Sequence, residues 1–478
     1  MSVLSADRLE LSHHRNFAIP LLILLTGMGL RTVMLGRDVH FHPDEALYAT
    51  FARRLAVHGD LLLSDAPLDK PPLLIDAVAG AFAVFGVREF AARLPSFFAD
   101  VTTLAIAYSL ARRLYGPRVA ALAALIVALS PFDLTFSATA FVDSLLTLWL
   151  LLALWGAAFD RPRIAGIGVA LAIATKQSAL QFIPLVIALW LCCHAGISRR
   201  GYGRTFRRFV LPIVVGGLLL ALWSAARAAP VDFWAMGAAN NNPGRLIRAD
   251  EIVPRSLQWL ALLENVTGFA PALILSLIPA LSLIRLKTRA SLVDGLLVTY
   301  GSASLLIYWL VAFNIYDRYL LPFVAIIAVL MARGVEWLAG SRPRLHLMIT
   351  GLLILSMLPA VLTTLAGKSS IGGDHGTYTG IDVLAGQINR LTAGYPVYEH
   401  WLGWELGYYL GDGSPAQIVW LPSPEALARS ACTSGSRAYF VAPSQEAPAW
   451  LDALQEAGIA YQPVIRGPFE LYVWACDL

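Results

Sequence analysis

The chain has 478 residues, 57% of them hydrophobic and 14% charged. Soluble domains carry about 25% charged residues, so a water-soluble globular protein is excluded and an integral membrane protein is expected. The net charge of +4 is small, and the basic residues fall at the ends of apolar runs. They orient helices, and no nucleic-acid partner is expected.

In chain order, residues 17–36 form an apolar run of bilayer-spanning length without a clear cleavage site, read as a retained helix. Arg31, near its outer end, is expected to snorkel. A long loop follows, residues 37–93. Within it, residues 45–57 place Leu47, Tyr48, Phe51 and Leu55 on one side and Arg53 and Arg54 on the other, the pattern of an interfacial amphipathic helix. Further spanning runs are 94–114, 119–132, 144–159, 164–175, 179–193, 209–226, 264–284, 292–313, 319–338 and 345–365, which makes about eleven.

The apolar run 71–87 is ambiguous, and positive charge settles it. With a cytoplasmic N-terminus and 71–87 not crossing, Arg112, Arg113, Arg118, Arg161, Arg163, the cluster Arg199 to Arg208, Arg285, Lys287, Arg289, Arg342 and Arg344 all fall inside. If 71–87 crossed, all would face outward. It is therefore read as a helix lying in or dipping into the outer leaflet.

From about residue 366 the character changes. Residues 368–379 read as a linker. Short β-prone runs at 396–401, 417–421, 438–441 and 471–474 accompany helical patterns at 380–391 and 447–457, a small α/β domain. The expected organisation is a membrane domain over residues 1–366 and an extracytoplasmic domain over 367–478. Cys432 and Cys476 lie in that second region and can pair if it faces an oxidising compartment. Cys192 and Cys193 sit in an apolar helix as packing. No Cys/His spacing requires a metal.

The chemistry-bearing residues gather at the outer helix ends. His42-Pro43-Asp44-Glu45 follows the first span. Asp44 and Glu45 suit an N-terminal helix cap, but His42 and Lys70 in the same loop at a membrane surface favour a functional pair. Asp143 ends an external loop just before a span, where a carboxylate is costly unless wetted or paired. If the two loops face one cavity, Asp44 and Asp143 could flank an acceptor hydroxyl. Lysine is rare, four against 32 arginines, yet Lys70 and Lys176 both sit at external helix ends, as do Arg93 and Arg318. They serve as topological anchors or as phosphate ligands that neutralise a leaving group. Tyr316-Asp317-Arg318-Tyr319 adds aromatics at another boundary. Asn240-Asn241-Asn242, Asn265-Val266-Thr267 and Gly372-Gly373-Asp374-His375-Gly376 are read as turns or chance matches.

These motifs resemble a known family. His42-Pro43-Asp44-Glu45-Ala46-Leu47-Tyr48-Ala49, Lys70-Pro71-Pro72-Leu73, Arg93-Leu94-Pro95-Ser96, Ala111-Arg112-Arg113-Leu114-Tyr115-Gly116, the Asp143 loop, Ala174-Thr175-Lys176 and Arg318-Tyr319-Leu320-Leu321-Pro322 resemble membrane glycosyltransferases of the GT-C class. Within that class the likeness is to family 39, the protein mannosyltransferases and lipid A aminoarabinose transferases. The resemblance implies a mostly α, polytopic helix bundle in the inner membrane. It also implies a polyprenyl-phosphate-linked sugar as donor, a lipid, glycan or protein acceptor, and inversion in one displacement. Asp44 would be the base and Asp143 would orient the reacting groups. Glu45, His42, Lys70, Lys176, Arg93, Arg318 and Tyr319 would contact donor phosphate, substrate or Asp44. No cofactor is required; a divalent metal beside Asp44, Asp143 and His42 is compatible. The alternatives are a secondary transporter, disfavoured because its polar residues belong near the bilayer midplane, and an inactive scaffold of the same fold.

Overall fold

The computed structural model describes residues 3–194, 199–241, 245–285, 288–432 and 437–475. Asn242, Lys287 and Cys476 lie outside the described residues, as do the side chains of Arg199, Arg200 and Arg285. The chain forms two compact units: Met1–Arg37 with Leu55–Gly372, and Asp38–Arg54 with Gly373–Leu478.

The first unit is helical. Its helices begin with α1 (Val3–Leu35); α2 (Pro43–His58) starts in the second unit and ends in the first. Then come α3 (Leu73–Phe85), α4 (Glu89–Tyr115), α5 (Pro117–Leu129), α6 (Pro131–Phe136), α7 (Val142–Ala158), α8 (Pro162–Thr175) and α9 (Ile183–Cys193). They continue with α10 (Arg199–Arg227), α11 (Phe233–Asn241), α12 (Ile252–Glu264), α13 (Ile274–Leu277), α14 (Arg289–Leu310), α15 (Leu321–Ala339) and α16 (Pro343–Leu365). Among the described residues six helical stretches are long and apolar enough to cross a membrane: Ala18–Leu35, Glu89–Tyr115, Tyr202–Arg227, Arg289–Leu310, Asp317–Ala339 and Pro343–Leu365. Six shorter apolar helices accompany them. The protein is an integral membrane protein. Helix α3, the ambiguous run, has 13 residues, about 20 Å along its axis, the same length as α5.

Three expectations change. The run 264–284 is not one helix: Gly268 takes a left-handed φ of 71°, and Pro271 and Pro279 break the rest into 3-10 turns around α13. Arg31 does not snorkel. It is fully buried and ion-paired with Asp100 of α4, and it donates to the carbonyls of Ala128 at 3.2 Å and Val127 at 3.3 Å. Arg53 is buried rather than on a polar face of α2. It donates to the Tyr408 and Gly407 carbonyls at 2.7 and 2.9 Å and pairs with Asp412 at 2.7 Å, all within the second unit.

Small residues let the helices around α8 approach closely. A Cβ on Gly156 would stand 2.5 Å from the Ala165 nitrogen, and one on Gly166 would stand 2.1 Å from the Phe209 oxygen. Without a hydrophobic drive inside lipid, such close backbone packing is what holds helices together.

The second unit holds α17 (Ile381–Leu391), α18 (Gly403–Tyr409), α19 (Pro424–Ser430) and α20 (Ala447–Glu456). Its strands are β1 (Pro396–Glu399), β2 (Gln417–Trp420), β3 (Arg437–Pro443), β4 (Gln462–Ile465) and β5 (Phe469–Ala475). The sheet order is β2-β1-β3-β5-β4; β1 is parallel to both neighbours and β5 antiparallel to both of its own. One core gathers Phe440, Trp450, Leu454 and Trp474, the other Ile381, Leu384, Val397, Leu406 and Leu471. Cys432 is disulfide-bonded.

Candidate active site

In the first unit, α7 and α8 run antiparallel, so the N-terminus of one lies at the C-terminus of the other. Asp143 is in the first turn of α7 and Lys176 is the residue that ends α8. A carboxylate at a helix N-terminus and a cation at a C-terminus are each favoured by the backbone dipole. The two meet: Lys176 Nζ donates to Asp143 Oδ1 at 2.6 Å, with both side chains buried. Asp143 Oδ2 is buried and has no hydrogen-bond partner among the described residues. A buried charge pair is tolerable because each member neutralises the other, and the spare acceptor atom leaves the carboxylate able to take one more donor.

Aromatic and basic groups surround the pair. The Tyr319 ring centroid lies 4.9 Å from Lys176 Nζ, and Tyr308 packs on Tyr319 with centroids 6.0 Å apart. The charges of Arg318 and Lys70 reach Lys176. Arg318 lies over Phe141 at 5.5 Å and Tyr316 at 4.9 Å. Asp317 fixes this turn by accepting from the Arg318 amide at 2.7 Å and the Gly372 amide at 2.6 Å. Lys70 pairs with Asp69, whose carbonyl accepts from Gln177 Nε2 at 2.8 Å; the segment carrying Lys70 is thus tied to the residue after Lys176. Arg93 is buried in α4, one turn before Ser96, whose hydroxyl reaches the Phe141 carbonyl at 3.4 Å.

The Asp143 loop is held by its own hydroxyls. Ser137, Thr139 and Ser144 donate to the carbonyls of Leu134, Phe136 and Phe136, at 2.7, 2.9 and 3.2 Å.

His42, Asp44 and Glu45 belong to the second unit. Pro43 starts α2, the buried Glu45 accepts the His42 amide at 3.1 Å, and His42 Nδ1 accepts the Asp44 amide at 3.2 Å. Asp44 is half-buried. Its charge is felt by Tyr378, whose phenol is pushed up by burial first and then by Glu405, Asp374 and Asp44. Glu405 is fully buried, and burial pushes its carboxyl up to about 8. Among the described residues no group of three or more His, Cys, Asp or Glu side chains is placed to hold a metal ion.

Sequence reasoning passed over Gln177, Tyr308, Tyr378 and Glu405. Gln177 adjoins Lys176, which was a usable signal. The other three carry no local mark, because their surroundings are made by residues distant in the chain.

Residues 69–226 match the family described as dolichyl-phosphate-mannose-protein mannosyltransferase. Over 95% of its length the chain superposes on 97% of ArnT from Cupriavidus metallidurans bound to undecaprenyl phosphate, with a TM-score of 0.66 and 14% identity. It also carries 25% identity, over 82% of its own length and 76% of the relative's, to the undecaprenyl phosphate-alpha-4-amino-4-deoxy-L-arabinose arabinosyl transferase of Edwardsiella ictaluri. The chain is similar to the aminoarabinose transferases. Its fold is the ArnT fold. With the enzyme of the same description from Pseudomonas aeruginosa it shares 29% identity over 44% of its length, and it spans about two-fifths of that relative, 41%. The archaeal oligosaccharyltransferase AglB from Archaeoglobus fulgidus, solved with an inhibitory peptide and a dolichol-phosphate, superposes at a TM-score of 0.54 and 13% identity over 94% of the chain and 69% of AglB.

Proposed function

We propose that this protein is an inverting membrane glycosyltransferase. It moves a sugar from a polyprenyl phosphate to a hydroxyl of a lipid, glycan or protein acceptor, on the outer side of the inner membrane. The observation that carries the reading is the buried Asp143–Lys176 pair with one carboxylate oxygen unpartnered, in a fold shared with an undecaprenyl-phosphate-bound transferase.

In the proposed step the acceptor oxygen attacks the anomeric carbon while Asp44 takes its proton. The bond from that carbon to the phosphate oxygen breaks, and the electron pair leaves on the polyprenyl phosphate. A phosphate leaves without protonation, unlike the alkoxide that glycosidases must protonate. The charge growing on it is met by the cationic groups Lys176, Arg318 and Lys70. Asp143 holds Lys176 by one N–H and orients it; Tyr319 presents its ring face to the same ammonium. Arg93, His42 and Glu45 remain proposed contacts to the substrate. The disulfide at Cys432 supports an extracytoplasmic place for the second unit, because disulfides persist in oxidising compartments. The basic clusters support a cytoplasmic N-terminus with about eleven crossings.

The test is transfer from radiolabelled prenyl-phosphate sugars in membranes carrying the protein. Asp44→Asn is expected to slow transfer by roughly 10²–10⁴-fold at unchanged abundance and membrane insertion. Undiminished transfer by that variant overturns Asp44 as the base.

A further inference from the structure

Two adjoining cavities lie in the first unit at the far end of α7 and α8 from Asp143 and Lys176. The 17 residues of α7 put about 25 Å between the two ends. One cavity, of about 380 Å³, is lined by apolar groups that include Ala157, Val186, Leu191, Phe206 and Phe209. It opens outward, since Leu191 and Phe206 are 45% and 60% exposed. The other, of about 310 Å³, is lined by Asp160, Arg161, Arg163, Ile164 and Arg208. Pro162 lines both.

Between them stands an aromatic rim. Trp190 meets Tyr202 edge to face at 5.3 Å and stacks on His194 at 5.7 Å, and its indole N–H donates to Asp160 Oδ1 at 3.1 Å. Apolar cavity, Trp and Tyr, then arginines is the polarity profile of a bilayer from hydrocarbon to headgroup. Three guanidinium groups face a single carboxylate, which the Trp190 indole already engages, so the polar cavity is electropositive. Guanidinium groups bind phosphate through paired N–H donors. An apolar cavity open to the bilayer fills with hydrocarbon, because an unfilled one forfeits dispersion contacts.

We propose that this end of the bundle binds an anionic phospholipid, its phosphate between Arg161, Arg163 and Arg208 and one acyl chain in the apolar cavity. The lipid bridges the start of α8 to α10, and so braces the helix that ends in Lys176. Neither the sugar-transfer reading nor the role of Asp44 is needed for this site.

The experiment is native mass spectrometry of the purified full-length protein titrated with phosphatidylglycerol or phosphatidylcholine. Phosphatidylglycerol should be retained roughly tenfold or more in preference, because each arginine near the headgroup favours the anion and choline's cation is repelled. Arg161→Gln/Arg163→Gln/Arg208→Gln should abolish the preference while leaving total lipid retention elsewhere unchanged. All three side chains are exposed, so the variant keeps its core. Equal retention of the two lipids, a preference that survives the triple variant, or displacement of the lipid by excess inorganic phosphate overturns the proposal.

Discussion

In the proposed reading, the structural and chemical roles of Asp143 and Lys176 separate in different variants. Asp143→Asn leaves the Lys176 cation buried without its counter-charge, which costs about 3 kcal/mol or more. Asp143→Asn/Lys176→Met removes both charges and is expected to recover most of that stability, measured as thermal unfolding in lipid nanodiscs, while sugar transfer stays lost. Recovery of transfer in the double variant would reject a chemical role for the pair. Glu405 is the second informative residue. Its carboxyl is ordinary in the unfolded chain, 4.5, and rises to about 8 when folded. Between those values the folded state binds the extra proton, so the contribution of Glu405 to stability is greatest below pH 4.5 and falls as pH rises to about 8. Limited proteolysis of the second unit across this window should show rising susceptibility, and Glu405→Gln should flatten the profile.

At the scale of elements, contact between α8 and α10 depends on the absence of a side chain at Gly166 and at Gly216, where a Cβ would stand 2.9 Å from the Ala170 Cβ. Gly166→Val is expected to push α10 away and cost about 1–3 kcal/mol, the usual penalty of overpacking, seen as a lower melting midpoint. Gly217→Ala on α10 is the control: nothing lies within 4 Å of its Cβ, and alanine suits a helix better than glycine. The midpoint should hold or rise. Such glycine contacts matter because α7 and α8 carry the Asp143–Lys176 pair at one end and flank the two cavities at the other. A shift of α8 would be felt at both.

For the molecule as a whole, residues 38–54 form one unit with residues 373–478, so the helix carrying Asp44 has its N-terminal part in a unit distant in sequence. Within that unit Arg53 ties α2 to the carbonyls at the end of α18, and the Phe41 amide donates to the Tyr409 hydroxyl at 2.9 Å. The disulfide at Cys432 constrains the same unit. Cys432→Ser is expected to lower its stability by about 2–4 kcal/mol, read as faster proteolysis of the second unit in the absence of reductant and convergence with wild type in its presence.

Much of the membrane architecture was legible in the amino acids because the bilayer is a stringent solvent. Apolar runs must be helical, so helix positions near 94–114, 144–159 and 345–365 could be read directly. The rarity of lysine drew attention to Lys70 and Lys176, and Asp143 stood out as a carboxylate at a helix end. Which carboxylate each cation meets was not legible. Arg31 finds Asp100, Lys176 finds Asp143 and Arg53 finds Asp412, each across a long stretch of chain. The same holds for the broken run 264–284 and for β4, which is recognisable as a strand through its pairing with β5. Solvent preference is a property of each segment, written in its composition. The compensation of a buried charge is a property of neighbours, and neighbours are chosen when the helices pack.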